Sequence, residues 1–248
     1  MEIAVTAAIV TYNGIGVAKN ACDSIIKNTV KHKPRVLVID NNSSESLDPI
    51  KNTEGAELME LGENIGFGAA HNKILGAGIG KYHFVVNPDI TVSDDVLSGM
   101  VDFMEENPDV SMLIPTVLNS DGSVQYLPKE IPTFKNIFLG RIFSSVRDEY
   151  VWKDKKIDAV TDVGFCTGCF FCIRGEVFEA MGGFDERYFM YLEDADLTLR
   201  AKKFGRTVIA PQFSVTHRWE RASSKKIKFL LIHTVSALKF LLKKRKLL

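Results

Sequence analysis

At 248 residues, with 46% hydrophobic and 25% charged residues, 18 Gly and 8 Pro, the chain has the composition of one globular domain of ordinary enzyme size, which excludes collagen-like, low-complexity and disordered classes. Thirty-one basic groups balance thirty-one acidic ones, but 225–248 holds seven Lys and one Arg without an acid, so the rest carries 23 basic against 31 acidic groups. A body of net charge −8 is a poor polyanion binder, and general nucleic-acid affinity is excluded.

The opening Met1-Glu2-Ile3-Ala4-Val5 lacks the basic region of a secretory signal. The longest apolar stretch, 229–242, contains His233 and Lys239 and falls short of the roughly 20 residues a membrane-spanning helix requires. Four cysteines in such a chain are expected as reduced thiols in a cytoplasmic setting.

In chain order, 3–10 is a nearly continuous apolar run and predicts a strand buried on both faces, as in a parallel sheet. Helical spacing follows over 15–28, and 36–39 is a second buried strand ending on Asp40. Asp40-Asn41-Asn42-Ser43-Ser44 is turn chemistry at that strand's carboxyl end, where open α/β sheets bind ligands. A third strand is expected over 57–61, a helix over 66–80, a fourth strand over 82–86 and an amphipathic helix over 94–106. Loops and a partner-facing surface are expected over 120–157. A strand-like run covers 160–173, helices 176–181 and 193–204, and a short edge strand 208–210. The alternation predicts a three-layer α/β/α, Rossmann-like, mostly parallel sheet.

Polar groups fall at successive strand ends: Asn13 after the first, Asp40 after the second, Asp89 after the fourth. Carboxyl ends of parallel strands share one edge, so these side chains converge on one crevice, although each residue taken alone also suits a helix cap. The segment 62–70 opens a helix with small residues whose free N–H groups can hold a phosphate. Gly14-Ile15-Gly16 with Asp40 imitates a dinucleotide fingerprint but has Lys19 where the third glycine belongs. Glu193, Asp194 and Asp196 crowd the start of a helix; Asp196 can pair with Arg200 four residues on, whereas Glu193 and Asp194 lack such a partner and suit a general base.

Val10-Thr11-Tyr12-Asn13, Asp40-Asn41-Asn42-Ser43, Glu63-Asn64-Ile65-Gly66-Phe67-Gly68, Asn87-Pro88-Asp89, Gly182-Gly183-Phe184-Asp185-Glu186 and Glu193-Asp194-Ala195-Asp196 stand in one order along the chain. In these motifs the chain resembles family 2 glycosyltransferases, in their rhamnosyltransferase-like branch, over 3–224. The resemblance implies a GT-A fold with a catalytic domain over 1–224, and inverting transfer of a sugar from a nucleoside-diphosphate donor to a hydroxyl of a saccharide or lipid-linked acceptor in cell-surface polysaccharide or glycolipid synthesis. Mg²⁺ or Mn²⁺ is the implied cofactor, and dTDP-rhamnose the implied donor, with UDP-sugars as alternatives. By the same resemblance Thr11, Tyr12, Asn13, Asp40, Asn64, Gly66, Phe67 and Asn72 bind the nucleotide and Asp89 and His217 hold the metal. Asp194 is the base, with Glu193 behind it, and Gly168 lies on the acceptor side. The chain departs from the pattern at Asn87, where many relatives have Asp, and at His71, where many have Arg.

Cys166, Cys169 and Cys172 suggest a metal site by spacing, but an extended strand would turn Cys166 and Cys172 one way and Cys169 the other, which favours packing. Over 225–248, Ile227, Leu230, Leu231, Val235, Leu238, Leu241 and Leu242 share a helical arc opposite Lys225, Lys228, Lys239 and Lys243. Such a basic amphipathic helix reads as an element for the cytosolic membrane surface, or else packs its apolar arc on protein. Two other classes stay open on sequence alone: a nucleotide-sugar-binding protein without turnover, and a nicotinamide-dependent oxidoreductase.

Overall fold

The computed structural model describes residues 4–218 and 227–247. The chain runs β1 (Val5–Thr11), α1 (Ile15–Asn28), β2 (Arg35–Asp40), α2 (Asp48–Lys51), β3 (Ala56–Glu60), α3 (Phe67–His71), α4 (Lys73–Ala77), β4 (Tyr82–Val86), β5 (Ile90–Thr91), α5 (Val96–Glu106) and β6 (Val110–Leu118). It continues through α6 (Phe134–Phe138), a 3₁₀ turn, α7 (Ser144–Tyr150), β7 (Thr161–Asp162), β8 (Phe170–Arg174), α8 (Gly175–Ala180), α9 (Glu193–Ala201), β9 (Arg206–His217) and α10 (Ile227–Leu247). Ile3 and Lys225, assigned from sequence to the first strand and the last helix, lie outside the described residues, as does the expected boundary at 224/225.

One sheet runs β3-β2-β1-β4-β8-β6-β9-β5, with β7 also on β9. The strands are buried on both faces because alternate residues feed two cores. Ala7, Ile9, Val36, Val38, Phe84 and Val86 pack against α1, α2 and α5. Ala8, Val10, Leu37, Ile39 and Val85 pack against α3, α4, α8 and α9. This is the three-layer arrangement that the uninterrupted apolar strands require.

β1 pairs in parallel with β2 and β4, β2 with β3, and β6 with β9. Only β8 runs against both of its neighbours, β4 and β6. The carboxyl ends of β1, β2, β4, β6 and β9 therefore share an edge with the amino end of β8. That edge collects the loops after Thr11, Asp40, Val86, Leu118 and His217 together with the turn before Phe170.

Five expectations change. The 66–80 helix is two short ones, because Asn72 is drawn sideways to Phe184 and Gly78 takes φ 93°. The 160–173 run is interrupted: Gly164 and Phe165 both donate their N–H to the Lys129 carbonyl, which lifts the chain out of the sheet before β8. In consequence Cys169 and Cys172 share one core and Cys166 lies in the other, against the alternation of a continuous strand. The short edge strand at 208–210 is the start of twelve-residue β9, whose Pro211 is absorbed in an irregularity opposite Pro115 and Thr116. β6, left unassigned from sequence, lies between β8 and β9.

The fifth change concerns α10, whose faces are reversed. Ala237 and Phe240 are fully buried against Ile137, Tyr188, Leu192 and Ala195. Lys243 enters between Asp185 and Asp196, and Lys239 donates to the Arg187 carbonyl. Ile227, Leu230, Leu231, Val235, Leu238 and Leu242 are exposed instead. Buried Asp196 and partly buried Asp185 draw the lysine face inward, which hydrophobic patterning does not report. Among the described residues no helix is long and apolar enough to cross a membrane.

Candidate functional site

The shared edge opens on Asp40 at the end of β2. Its carboxylate is buried and accepts the Ser43 N–H on both oxygens at 3.1 Å. Thr11 is the in-register neighbour on β1, and its carbonyl accepts the Asn41 N–H at 2.8 Å. Tyr12 is exposed beside them. A groove of about 560 Å³ follows, lined by Asp40, Asn42, Ser43, Leu61 and Gly62.

Asn13 has φ 57° and accepts the Ser44 N–H on Oδ1, which locks the loop after β1 to the loop after β2. Glu45 then accepts the N–H groups of Gly14 and Ile15 at 2.8 Å each, and these bonds hold its carboxyl below the usual range. A carboxylate thus occupies the amino end of α1, where a dinucleotide-binding chain presents free N–H groups to a pyrophosphate. This tells against the nicotinamide reading on geometry. Neither Glu45 nor its role shows in sequence spacing.

Asn41, buried and absent from the sequence candidates, clamps the next loop. Its amide nitrogen donates to Asn64 Oδ1 and its oxygen accepts the Ile65 N–H, both at 3.0 Å. Asn64 Oδ1 also accepts the Gly66 N–H. Gly66 has φ 91°, and a Cβ there would sit 2.3 Å from the Phe189 carbonyl oxygen. That carbonyl accepts the Phe67 N–H at 3.0 Å, so the nucleotide-side loop is fastened to the segment leading into α9. Asn72 lies apart from this groove: its amide is spent on the Phe184 N–H and carbonyl and on Glu186. His71 is fully buried between Phe67 and Phe184, and burial holds its imidazole well below the ordinary value, hence neutral.

Asp89 and His217 come together from the β4–β5 turn and the end of β9, with Oδ1 3.1 Å from Nε2. A directional relay fixes the ring. Ser123 donates its hydroxyl to Asp121, and Asn119 donates its amide to Ser123. Gln125 in turn donates to Asn119 Oδ1 at 2.9 Å. Its remaining oxygen, 2.7 Å from His217 Nδ1, is an acceptor, so Nδ1 carries the proton. In the neutral ring the Nε2 lone pair, buried and without a hydrogen-bond partner, then faces a carboxylate oxygen. A nitrogen and a carboxylate oxygen brought together in this way are a donor set that suits Mg²⁺ or Mn²⁺. The residues present fit the expected metal. Among the described residues no group of three or more His, Cys, Asp or Glu could hold one.

Asp194 opens α9. Oδ2 accepts the Gly168 N–H at 2.8 Å and Oδ1 the Ala195 N–H at 2.9 Å. Loss of water raises its carboxyl to about 6, while these N–H donors pull the other way. Glu193 is buried with Oε2 unpartnered, and burial together with the Asp194 charge raises its carboxyl well above the ordinary value. Asp196 is committed to Arg200 and Lys243. All four described cysteines are free and buried, and burial pushes the Cys166 and Cys169 thiols up to about 12, which leaves them protonated and poor ligands.

The family model for glycosyl transferase family 2 matches residues 6–182. N-acetylglucosaminyl-diphospho-decaprenol L-rhamnosyltransferase of Mycobacterium tuberculosis is 27% identical over 201 residues, which is 73% of this chain and 66% of that protein. Rhamnosyltransferase WbbL of Escherichia coli K12 is 27% identical over 199 residues, 74% of this chain and 72% of its own length. The chain thus spans about two thirds of the mycobacterial relative. Among solved structures, a mannosyltransferase from Pyrobaculum calidifontis in complex with GDP-Man and Mn²⁺ superposes with TM-score 0.62 at 17% identity, over 96% of this chain and 65% of that one. GalNAc-T7 with UDP, GalNAc and Mn²⁺ gives TM-score 0.66 at 16% identity, over 87% and 43%. These likenesses show a GT-A fold, and with the family model matched from β1 to the end of α8, the chain belongs to glycosyl transferase family 2.

Proposed function

We propose that the chain transfers a sugar, rhamnose by preference, from a nucleoside-diphosphate donor to a hydroxyl on a lipid-linked saccharide, with inversion at the anomeric carbon. The single observation that carries this reading is the placement of Asp194 on the same sheet edge as Asp40 and the Asp89–His217 pair. Asp40 would accept from the imide edge of a pyrimidine, with Thr11 and Tyr12 beside the base and the loop Asn64-Ile65-Gly66-Phe67 closing over it. dTDP and UDP donors present the same imide edge, and both fit.

Asp194 is the candidate base. Two backbone N–H groups fix its carboxylate, and burial makes it more basic than a surface Asp while leaving it ionised at neutral pH. It would take the proton from the acceptor hydroxyl as that oxygen attacks the anomeric carbon opposite the diphosphate. Glu193 is the poorer candidate, because burial and the Asp194 charge both favour its protonated form. A divalent cation between Asp89 and His217 would supply charge stabilisation for the leaving diphosphate. The relay through Gln125 orients the imidazole for that role.

The mycobacterial relative is named for a diphospho-decaprenol saccharide, which supports a lipid-borne acceptor. The outward Leu230, Leu231, Val235 and Leu238 of α10 support a place on the cytosolic membrane surface. Calorimetric titration with dTDP, UDP and their sugars, with Mn²⁺ and with chelator, tests the reading. Metal-dependent binding of pyrimidine diphosphates with slow release of the nucleoside diphosphate supports it, and binding of none of them overturns it.

A further inference from the structure

Residues 120–157, which offered no readable motif, wall a second cavity. Its volume is about 420 Å³, in the range of small-molecule sites. Thr116, Val117 and Ile209 of β6 and β9 form its inner wall, so it lies toward the opposite end of the sheet from Asp40. Four of its lining residues are Lys129, Lys153, Lys155 and Lys156 and one is the acid Asp154, while Lys153 and Lys156 also pair outside the lining with Asp148 and Asp158. Tyr126 and Trp152 supply aromatic surface.

Lys129 is the unusual member. It is only 7% exposed, has one hydrogen bond, from Nζ to the Leu127 carbonyl at 3.1 Å, and makes no ion pair among the described residues. Burial lowers its ammonium from the ordinary value, and the groups it faces, Cys166 and Cys169, are protonated thiols. A buried cation without a counter-ion is costly unless an anion completes it. Two lining residues connect the cavity to the reaction site through their hydrogen-bond partners. Gln125 lines it and holds His217. On the other side the Lys129 N–H donates to the carbonyl of Tyr150, whose phenol is raised by burial and by the Asp194 charge.

We propose that this cavity is an anion site for the acceptor, taking a saccharide that carries a phosphate or diphosphate ester, with Lys129 as the buried counter-charge and Lys153, Lys155 and Lys156 at the rim. This deepens the transferase reading and rests on it. Ammonium groups hold phosphate as point charges, and an aromatic wall suits the apolar face of a sugar ring. The anchored ester would leave the acceptor hydroxyl free to turn to Asp194.

The test is calorimetry on the full chain saturated with UDP, so that the nucleotide site is filled. α-D-Glucose 1-phosphate and methyl α-D-glucoside are the probes. The phosphate is expected to bind about tenfold or more tightly than the neutral glycoside, with affinity falling as salt rises. Lys129→Met should erase the preference, and the triple variant Lys153→Gln, Lys155→Gln, Lys156→Gln should reduce it severalfold while UDP affinity holds. If Lys129→Met fails to fold, the triple variant decides alone. Equal binding of the two probes, or a phosphate preference that survives in the variants, overturns the proposal. UDP titration of the same sample distinguishes the two readings: UDP binding without the phosphate preference sinks the anion site alone, and a Lys129-dependent preference without nucleotide binding sinks the transferase reading alone.

Discussion

Gly168 and Asp194, 26 residues apart, are joined by a 2.8 Å hydrogen bond from a backbone N–H to a carboxylate oxygen, and a Cβ on Gly168 would sit 3.2 Å from Asp194 Oδ2. The turn before β8 therefore sets the position of the candidate base. Asp194→Asn is expected to lower kcat by about 10²–10⁴-fold with nucleotide affinity nearly unchanged. Gly168→Ala should lower kcat less, by crowding the carboxylate. Initial rates with saturating donor check both, and full transfer by Asp194→Asn would remove Asp194 from the role.

The pH profile follows from the same carboxyl. Asp194 titrates near 6, so kcat should fall about tenfold per unit below that pH and level off above 7. A limb centred near 4 would mean that burial does not raise the group.

Stability should carry the opposite trend. Asp194 is raised to about 6, so between about pH 4 and 6 the folded state binds more protons than the unfolded chain and its contribution falls as pH rises through that window; Glu193, raised in the same direction, acts with the same sign. Glu193→Gln, which keeps the shape without a charge to desolvate, should raise Tm at pH 7 and flatten its slope between pH 5 and 7. Scanning calorimetry at three pH values reads this directly.

Gln125→Leu removes the acceptor that fixes His217 and should weaken Mn²⁺ binding about 10–100-fold, with UDP affinity in chelator unchanged. Electron paramagnetic resonance of free Mn²⁺ measures it without turnover. His217→Ala should be at least as severe, and unaltered Mn²⁺ affinity in both variants would detach the metal from this pair.

Lys243→Ala takes one partner from buried Asp196, which keeps Arg200, and one from Asp185, which keeps Arg187. A loss of about 1–3 kcal/mol is expected by urea unfolding. Leu231→Ser with Leu238→Ser, both exposed, should leave stability within about 0.5 kcal/mol and reduce sedimentation with anionic liposomes. Undiminished liposome binding would assign the exposed arc elsewhere.

The sequence by itself determined the layered α/β architecture, because continuous apolar strands such as 5–11 and 82–86 have no place except between two covered faces. It also determined which motifs end those strands, since Asp40, Asp89 and the acids before α9 are local punctuation that any sheet of this order brings to one edge. It did not show β6 and the length of β9, whose Pro115 and Pro211 break the apolar runs but are absorbed where the two strands slip register. It did not show Asn41, Glu45, Gln125 or Lys129, because a clamp, a cap, a relay and a buried cation are defined by partners distant in sequence. Nor could it orient α10. Periodicity identifies an apolar arc, but which face turns inward depended on Asp185 and Asp196, each paired with one arginine on the body, offering a second site to Lys243. Pairing these carboxylates, Asp196 buried and Asp185 partly so, with Lys243 outweighed covering a few leucines, and only the tertiary structure brings those charges within reach.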